Sequence, residues 1–287
     1  MEKKHAVIIT AYKSYEYLYY LAHKLIEFSD VYIHVDSKSK NINEEEIAIL
    51  RGLGCFVEKK YKIYWGSFNH VLAIIDLLKA SIKKRYTYYH IISGEDLLVV
   101  QSKDFLDKFE SNNKIYIACN KVDNNDIIKR YSYYYLFSKK NPFSKLWSRL
   151  NKLSLNVQSL LKVNRNWIGN EKSIYKGYVY CSLPHDAAVY VIDYCSANPN
   201  YLKDLSLCYI PEEFFFQTIL MNSLFSKRIE NNCLRYSIWE EKHGSIPGYL
   251  DINDLKKITS KDYIFARKVN LLYSYELIDC VGDSCYL

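Results

Sequence analysis

Apolar positions fall along this chain in two alternating rhythms. Residues 6–11, "AVIITA", form a continuous run suited to a strand buried on both faces. From about Ser14 to Phe28, the positions Tyr17, Leu18, Leu21, Leu25 and Phe28 recur at helical spacing. "DVYIHVD", residues 30–36, predicts a second strand that ends on an aspartate, and "CFVEKK" predicts a third. "SFNHVLAIIDLLKASI" predicts a helix from Ser67 to about Ile82 with Ser67 as its N-cap. "YTYYHIISGEDLLVV" follows as a strand running into a glycine-containing turn. This order predicts an α/β fold, a mainly parallel sheet flanked by helices. Later segments continue the theme, with an amphipathic helix over about 143–162, a strand in "YKGYVYCSL" and a helix in "HDAAVYVIDYCSAN" that stops before Pro199. "PEEFFFQTILMNS" predicts a helix with proline near its first turn. No internal repeat or low-complexity linker interrupts the chain, so one domain is expected over residues 1–270, with a C-terminal tail over 271–287.

In an open parallel sheet, ligands sit beyond the carboxyl ends of the strands. Tyr12 and Lys13 follow the first strand, Asp36 ends the second, and Ser93-Gly94-Glu95-Asp96 follow a later one. All three groups are expected on one edge. The +7 formal charge, from 39 basic and 32 acidic residues, is dispersed and suits a phosphate-bearing ligand or an anionic surface. It carries no nucleic-acid arm or recognition motif, so nucleic acid is not an expected partner. Eight scattered cysteines without a Cys-x-x-Cys pair read as reduced thiols packing as small hydrophobes. The start, "MEKKHAVIITAY", lacks the apolar core and cleavage site of a signal peptide, and no run reaches the ~20 apolar residues of a spanning helix. A cytoplasmic location is expected, with peripheral contact at the inner membrane face as an option raised by the basic, aromatic and amphipathic stretch over 120–170.

"IPEEFFFQTI", residues 210–219, sets two carboxylates against three phenylalanines. Glu212 and Glu213 have two readings: acids favoured beside a helix N-terminus, or a general base poised above the sheet edge. Asp36 is either a turn aspartate bonding its own backbone or a ribose or base contact. Arg235 in "CLRYSIW", and Arg267 and Lys268 in "YIFARKV", are cations in apolar strand contexts, costly unless paired. No Asp-x-Asp ends an apolar strand, and neither a Gly-x-Gly-x-x-Gly nor a Gly-Lys-Ser/Thr loop is present. A nucleoside diphosphate would have to be neutralised by basic side chains.

Taken in order, "IHVDSKS", "YWGSFNHVLAIIDLL", "YYHIISGEDLLVVQSKDFLDKF", "YKGYVYCSL", "PEEFFFQTILMNS", "LRYSIW" and "FARKV" resemble the core-2/I-branching glycosyltransferases, a family that includes the peptide xylosyltransferases. The resemblance covers roughly residues 5–270 and looks like the bacterial branch. It implies a GT-A-type fold and an inverting, metal-independent transfer from a UDP-sugar, usually UDP-GlcNAc, to a saccharide acceptor, with a lipid-linked one among the options. It implies Glu213 as catalytic base, Arg235 and Lys268 on the diphosphate, and Asp36 on the uridine, with no other cofactor and no metal. Glu212 is then left to cap the helix. Many relatives carry tryptophan where this chain has Tyr178 or Tyr180, and Lys129 and Arg130 are acceptor candidates by region. The rival readings are another donor sugar such as xylose, or a silent carbohydrate-binding scaffold.

Overall fold

The computed structural model describes residues 4–110, 112–138, 140–165 and 173–282. In chain order the elements are β1 (His5–Ala11), α1 (Tyr15–Ile26), β2 (Ser29–Val35), α2 (Glu44–Gly52), β3 (Phe56–Glu58), α3 (Asn69–Ser81), β4 (Tyr88–Ser93), β5 (Asp96–Leu98) and α4 (Ser102–Phe109). They continue with β6 (Ile115–Tyr116), β7 (Asn120–Lys121), α5 (Asn125–Ser132), α6 (Lys145–Leu160), β8 (Tyr175–Lys176), β9 (Ser182–Pro184), α7 (His185–Ala197), α8 (Pro199–Leu205) and α9 (Glu212–Met221). The last are β10 (Ile229–Glu230), β11 (Arg235–Ser237), α10 (Leu255–Thr259), β12 (Phe265–Arg267) and α11 (Leu271–Gly282).

The large sheet runs β10-β6-β9-β4-β1-β2-β3. Strands β3, β2, β1 and β4 are parallel neighbours, and β9 pairs antiparallel with both β4 and β6. The mainly parallel α/β expectation is met in this form. Side chains alternate across the sheet as the period of two requires. Val7, Ile9 and Ala11 join a core with Leu18, Leu21 and Leu25 of α1, while Ala6 and Ile8 join another with Val71, Ile74 and Leu78 of α3 and Phe214, Phe215 and Phe216 of α9. Each fully buried Leu, Ile or Phe contributes roughly 1.5–3 kcal/mol against its exposed state, so the two layers fix the sheet and with it the loops at its edge.

Three local differences from the sequence reading have simple causes. Helix α3 starts at Asn69 without a side-chain cap, because the Ser67 hydroxyl accepts instead from Tyr64 N at 3.2 Å and closes the preceding turn. "YKGYVYCSL" divides into β8 and β9, since residues 177–181 leave the ladder to thread past Ala118. Residues beyond 270, expected as a tail, form α11 with Leu277, Ile278 and Val281 buried; residues 283–287, with Cys285, lie outside the described residues. Cys119, Cys181, Cys195, Cys208 and Cys233 are free thiols; burial pushes those of Cys119, Cys195 and Cys208 up to about 12, which keeps them protonated and inert.

Candidate active site

The carboxyl ends of β1, β2 and β4 share one edge, as their parallel register requires. Gly94 lets that edge close: a Cβ there would stand 2.9 Å from the Ala11 Cβ. Asp36, buried at the end of β2, accepts from Lys38 N (3.0 Å) and Ile63 N (3.1 Å) through Oδ1 and from the Lys38 ammonium through Oδ2. The Lys38 ammonium and the Lys13 ammonium flank the half-exposed ring of Tyr12 at 5.8 and 5.1 Å from its centre. Lys13 in turn donates to Glu95 Oε1 (2.7 Å) and Tyr249 OH (2.8 Å). Burial works against the Lys13 charge, yet Glu95 beside it raises its pKa above the ordinary lysine value. Lys268, just past β12, lies over the Tyr249 ring at 4.9 Å and makes no ion pair among the described residues. Burial, with Lys13 and Arg267 nearby, lowers its pKa, while Glu95 opposes the shift.

Arg267 faces Asp96 across the β12–β5 ladder, its Nη1 3.6 Å from Asp96 Oδ1, and its guanidinium stacks 3.8 Å over the Tyr180 ring. Asp96 also accepts from the Ser93 hydroxyl (2.5 Å), and burial is the main cause that raises its pKa, against Arg267 and Ser93. Arg235 is treated differently. Both its terminal nitrogens are spent inside the protein: Nη1 donates to Ser182 Oγ (2.9 Å) and the Cys233 carbonyl, and Nη2 to the carbonyls of Cys181 (2.8 Å) and Ile91 (3.2 Å). These bonds staple β4, the segment before β9, and β11. A diphosphate contact from those nitrogens would have to break bonds to buried carbonyls, a cost of roughly 1–3 kcal/mol per group left unpaired.

On the far side of Arg235 a cleft of about 340 Å³ is lined by Glu213, Lys176, Tyr178, Arg235, Ser237 and Trp239, among others. Helix α9 delivers Glu213 to it. Ile210, a β-branched residue held at φ +54°, turns the chain into Pro211, which offers no side-chain cap. Glu213 Oε2 then lies 3.0 Å from Arg130 Nη2 and 3.2 Å from Lys176 Nζ. Arg130 also donates to the carbonyls of Tyr209 (3.3 Å) and Ile210 (3.4 Å), so one α5 side chain grips both the turn and the carboxylate. On the β8 side, Gly177 N donates to the Glu213 carbonyl at 2.9 Å. A Cβ at Gly177 would come within 1.7 Å of the Ala118 oxygen, so only glycine fits there.

Glu212 diverges from its neighbour. It does not cap α9; its Oε1 stands 3.8 Å from His70 Nδ1, and its buried Oε2 has no hydrogen-bond partner among the described residues. His70 Nε2 meets Thr10 Oγ1 at 3.1 Å, tying this carboxylate to the end of β1. The expected residues therefore separate into groups. Asp36 and Lys268 stand at the sheet edge, Glu213 and Arg235 line one cleft, and Arg130, a candidate by region, is the partner of Glu213. Lys176, Tyr249 and Trp239 escaped the sequence reading; nothing local marks them, because only the fold brings them to these walls. Among the described residues, no three His, Cys, Asp or Glu side chains converge as metal ligands.

The model of the family described as "Core-2/I-Branching enzyme" matches residues 14–261 of this sequence. The chain belongs to the core-2/I-branching enzyme family. That is a family of glycosyltransferases, and the match bears out the resemblance carried by the ordered motifs. Over 283 residues the chain is also 23% identical to xylosyltransferase 2 of Homo sapiens and to that of Pan troglodytes, covering 89% of this chain and 30% of each relative. The chain thus spans about 30% of the length of these curated relatives. No helix among the described residues is long and apolar enough to cross a membrane.

Proposed function

We propose that this chain is a GT-A-type glycosyltransferase that moves a sugar, with GlcNAc the first candidate, from a UDP-sugar to a saccharide hydroxyl, with inversion and without a metal ion. Bacterial surface polysaccharide assembly is the setting that this reading favours. The observation that carries it is Glu213, held at the wall of a cleft by Arg130 and Lys176. In a single displacement, Glu213 takes the proton of the acceptor hydroxyl as its oxygen attacks the anomeric carbon, and UDP leaves with the electron pair of the broken bond. Tyr178 and Trp239, whose ring centres are 5.1 Å apart in the cleft, offer apolar faces for the acceptor sugar. Lys268, half-buried and without an ion-pair partner among the described residues, would meet the charge growing on the diphosphate, with Lys13 beside it. The contact first expected of Arg235 passes in this reading to that pair, since Arg235 is spent on backbone carbonyls. Asp36, with two backbone donors and Lys38 fixing its carboxylate, shapes the uridine end beside Tyr12.

A xylosyl donor is the second reading, favoured by the likeness to xylosyltransferase 2. The test is UDP release by purified protein across a donor panel in EDTA, with Glu213→Gln and Lys268→Ala alongside. Release from one donor, insensitive to EDTA and weakened in both variants, is expected and names the sugar. UDP binding without turnover of any donor would leave a carbohydrate-binding scaffold, and loss of activity in EDTA would overturn the metal-free mechanism.

A further inference from the structure

Helix α6 is inside out. Its protein-facing side carries Trp147, Asn151, Ser154 and Gln158 between the half-buried Leu150 and Leu155, and its one fully buried side chain is Gln158, with Oε1 accepting from Tyr134 N (2.7 Å) and Nε2 donating to Tyr134 O (3.0 Å). Its outer side displays Leu146, Leu153, Val157 and Leu160, spaced at seven, four and three residues and so on one stripe. Leu160 is 82% exposed, and Phe143 just before the helix is 80% exposed. A water-facing helix would turn the opposite way, because burial of apolar surface drives folding. An outward stripe of this size marks a surface that meets another apolar phase.

The charge beside the stripe identifies that phase. Lys145, Arg149 and Lys152 are exposed along one flank of it. Between Asp126 and Glu171 the sequence has no acidic residue and nine lysines and arginines. An apolar stripe bordered by cations alone matches a bilayer whose headgroups are anionic and whose acyl region lies just beneath them. We propose that α6 and Phe143 dock this protein onto an anionic lipid surface, lying in the plane of the interface. The same face leads to the candidate active site. The Phe143 ring lies 6.5 Å from that of Trp65, Trp65 lies 5.8 Å from Tyr209, and the Tyr209 carbonyl accepts from the arginine that holds Glu213. Docking there would set the cleft beside the headgroup layer, within reach of an acceptor anchored in the membrane. The docking does not depend on the transfer chemistry proposed above.

The test is co-sedimentation of the full chain with phosphatidylcholine vesicles and with phosphatidylcholine–phosphatidylglycerol vesicles, at low and high salt. Two variants go beside it, Lys145→Glu/Arg149→Glu/Lys152→Glu and Leu153→Gln/Leu160→Gln, each checked for native circular dichroism. Wild type is expected to sediment with the anionic vesicles alone, and less at high salt. The charge-reversed variant should partition roughly tenfold more weakly or worse, and the glutamine variant should lose the salt-resistant fraction. Wild type left in the supernatant with anionic vesicles, or variants that bind as wild type does, would overturn the proposal. A wild-type dimer on gel filtration that the glutamine variant dissociates would also overturn it and give the stripe to a second copy of this chain. UDP release without vesicles should be the same in wild type and both variants, which separates failure of docking from failure of the catalytic reading.

Discussion

Helices α6 and α9 make opposite use of apolar side chains. In α9, Phe214, Phe215 and Phe216 are all buried, and the helix is wrapped by β8, α7 and α3. In α6 Leu146, Leu153, Val157 and Leu160 face outward, Leu150 and Leu155 are half-buried, and a glutamine takes the fully buried place. Both helices are amphipathic or apolar by sequence, so composition alone does not decide which becomes core. The decision rests on what the neighbours offer: α9 sits under the sheet, where apolar surface is abundant, while α6 meets Tyr134 backbone groups that need hydrogen bonds. A buried helix can hold a carboxylate to within a fraction of an ångström, whereas a helix anchored by one glutamine presents a surface.

The contrast can be broken most forcefully at Glu213. Glu213→Gln should lower the rate of sugar transfer by about 10²–10⁴-fold with little change in thermal midpoint, if α9 serves as a rigid mount for a general base. Steady-state kinetics and calorimetry check this together, and a mutant that loses rate only through unfolding would remove the base assignment. Phe215→Ala, one turn into the same helix, should cost about 3–5 kcal/mol in urea unfolding. Acid should act on the buried side as well. His34 is held at about 4, first by burial, with Asp36 partly opposing. Between pH 6.5 and 4 the unfolded chain therefore binds a proton that the folded chain refuses, so stability falls as pH falls, by about 3 kcal/mol. Urea midpoints measured across that range should slope less in His34→Gln. Lys268→Ala should weaken UDP binding roughly tenfold while leaving stability within about 0.5 kcal/mol, in line with one charge-assisted contact. The smallest effect is expected in α6: Leu153→Gln should change unfolding free energy by less than about 0.5 kcal/mol. A loss near that of Phe215→Ala would mean that the stripe is covered in solution.

The parallel half of the fold was legible because β1, β2 and β4 are largely apolar runs whose flanking helices carry the 3.6 period. Short pieces such as β5, β8 and β11 have no period to read; they exist only because other strands lie beside them. Placement of Tyr12, Lys13, Asp36 and Glu95 on one edge followed from topology alone. The grouping of Arg130 with Glu213 did not, since the two are 83 positions apart and only the docking of α5 on the turn before α9 joins them. Arg235 teaches the converse. An arginine in an apolar strand invites a ligand, but the backbone carbonyls of Cys233, Cys181 and Ile91 can claim it first. Glu212 and Glu213 look alike in sequence, and a helix turn of about 100° sends one toward His70 and the other into the cleft.

The bond from Gly177 N to the Glu213 carbonyl, beside the ion pair from Lys176 to the Glu213 carboxylate, has a consequence for engineering. The carboxylate and one of its cations are bolted to each other through both main chain and side chain, with Gly177 wedged against Ala118. They form a single cassette whose parts cannot be exchanged one at a time. A chimera that borrows the acceptor preference of a relative should therefore import residues 175–178 and 209–214 as a set.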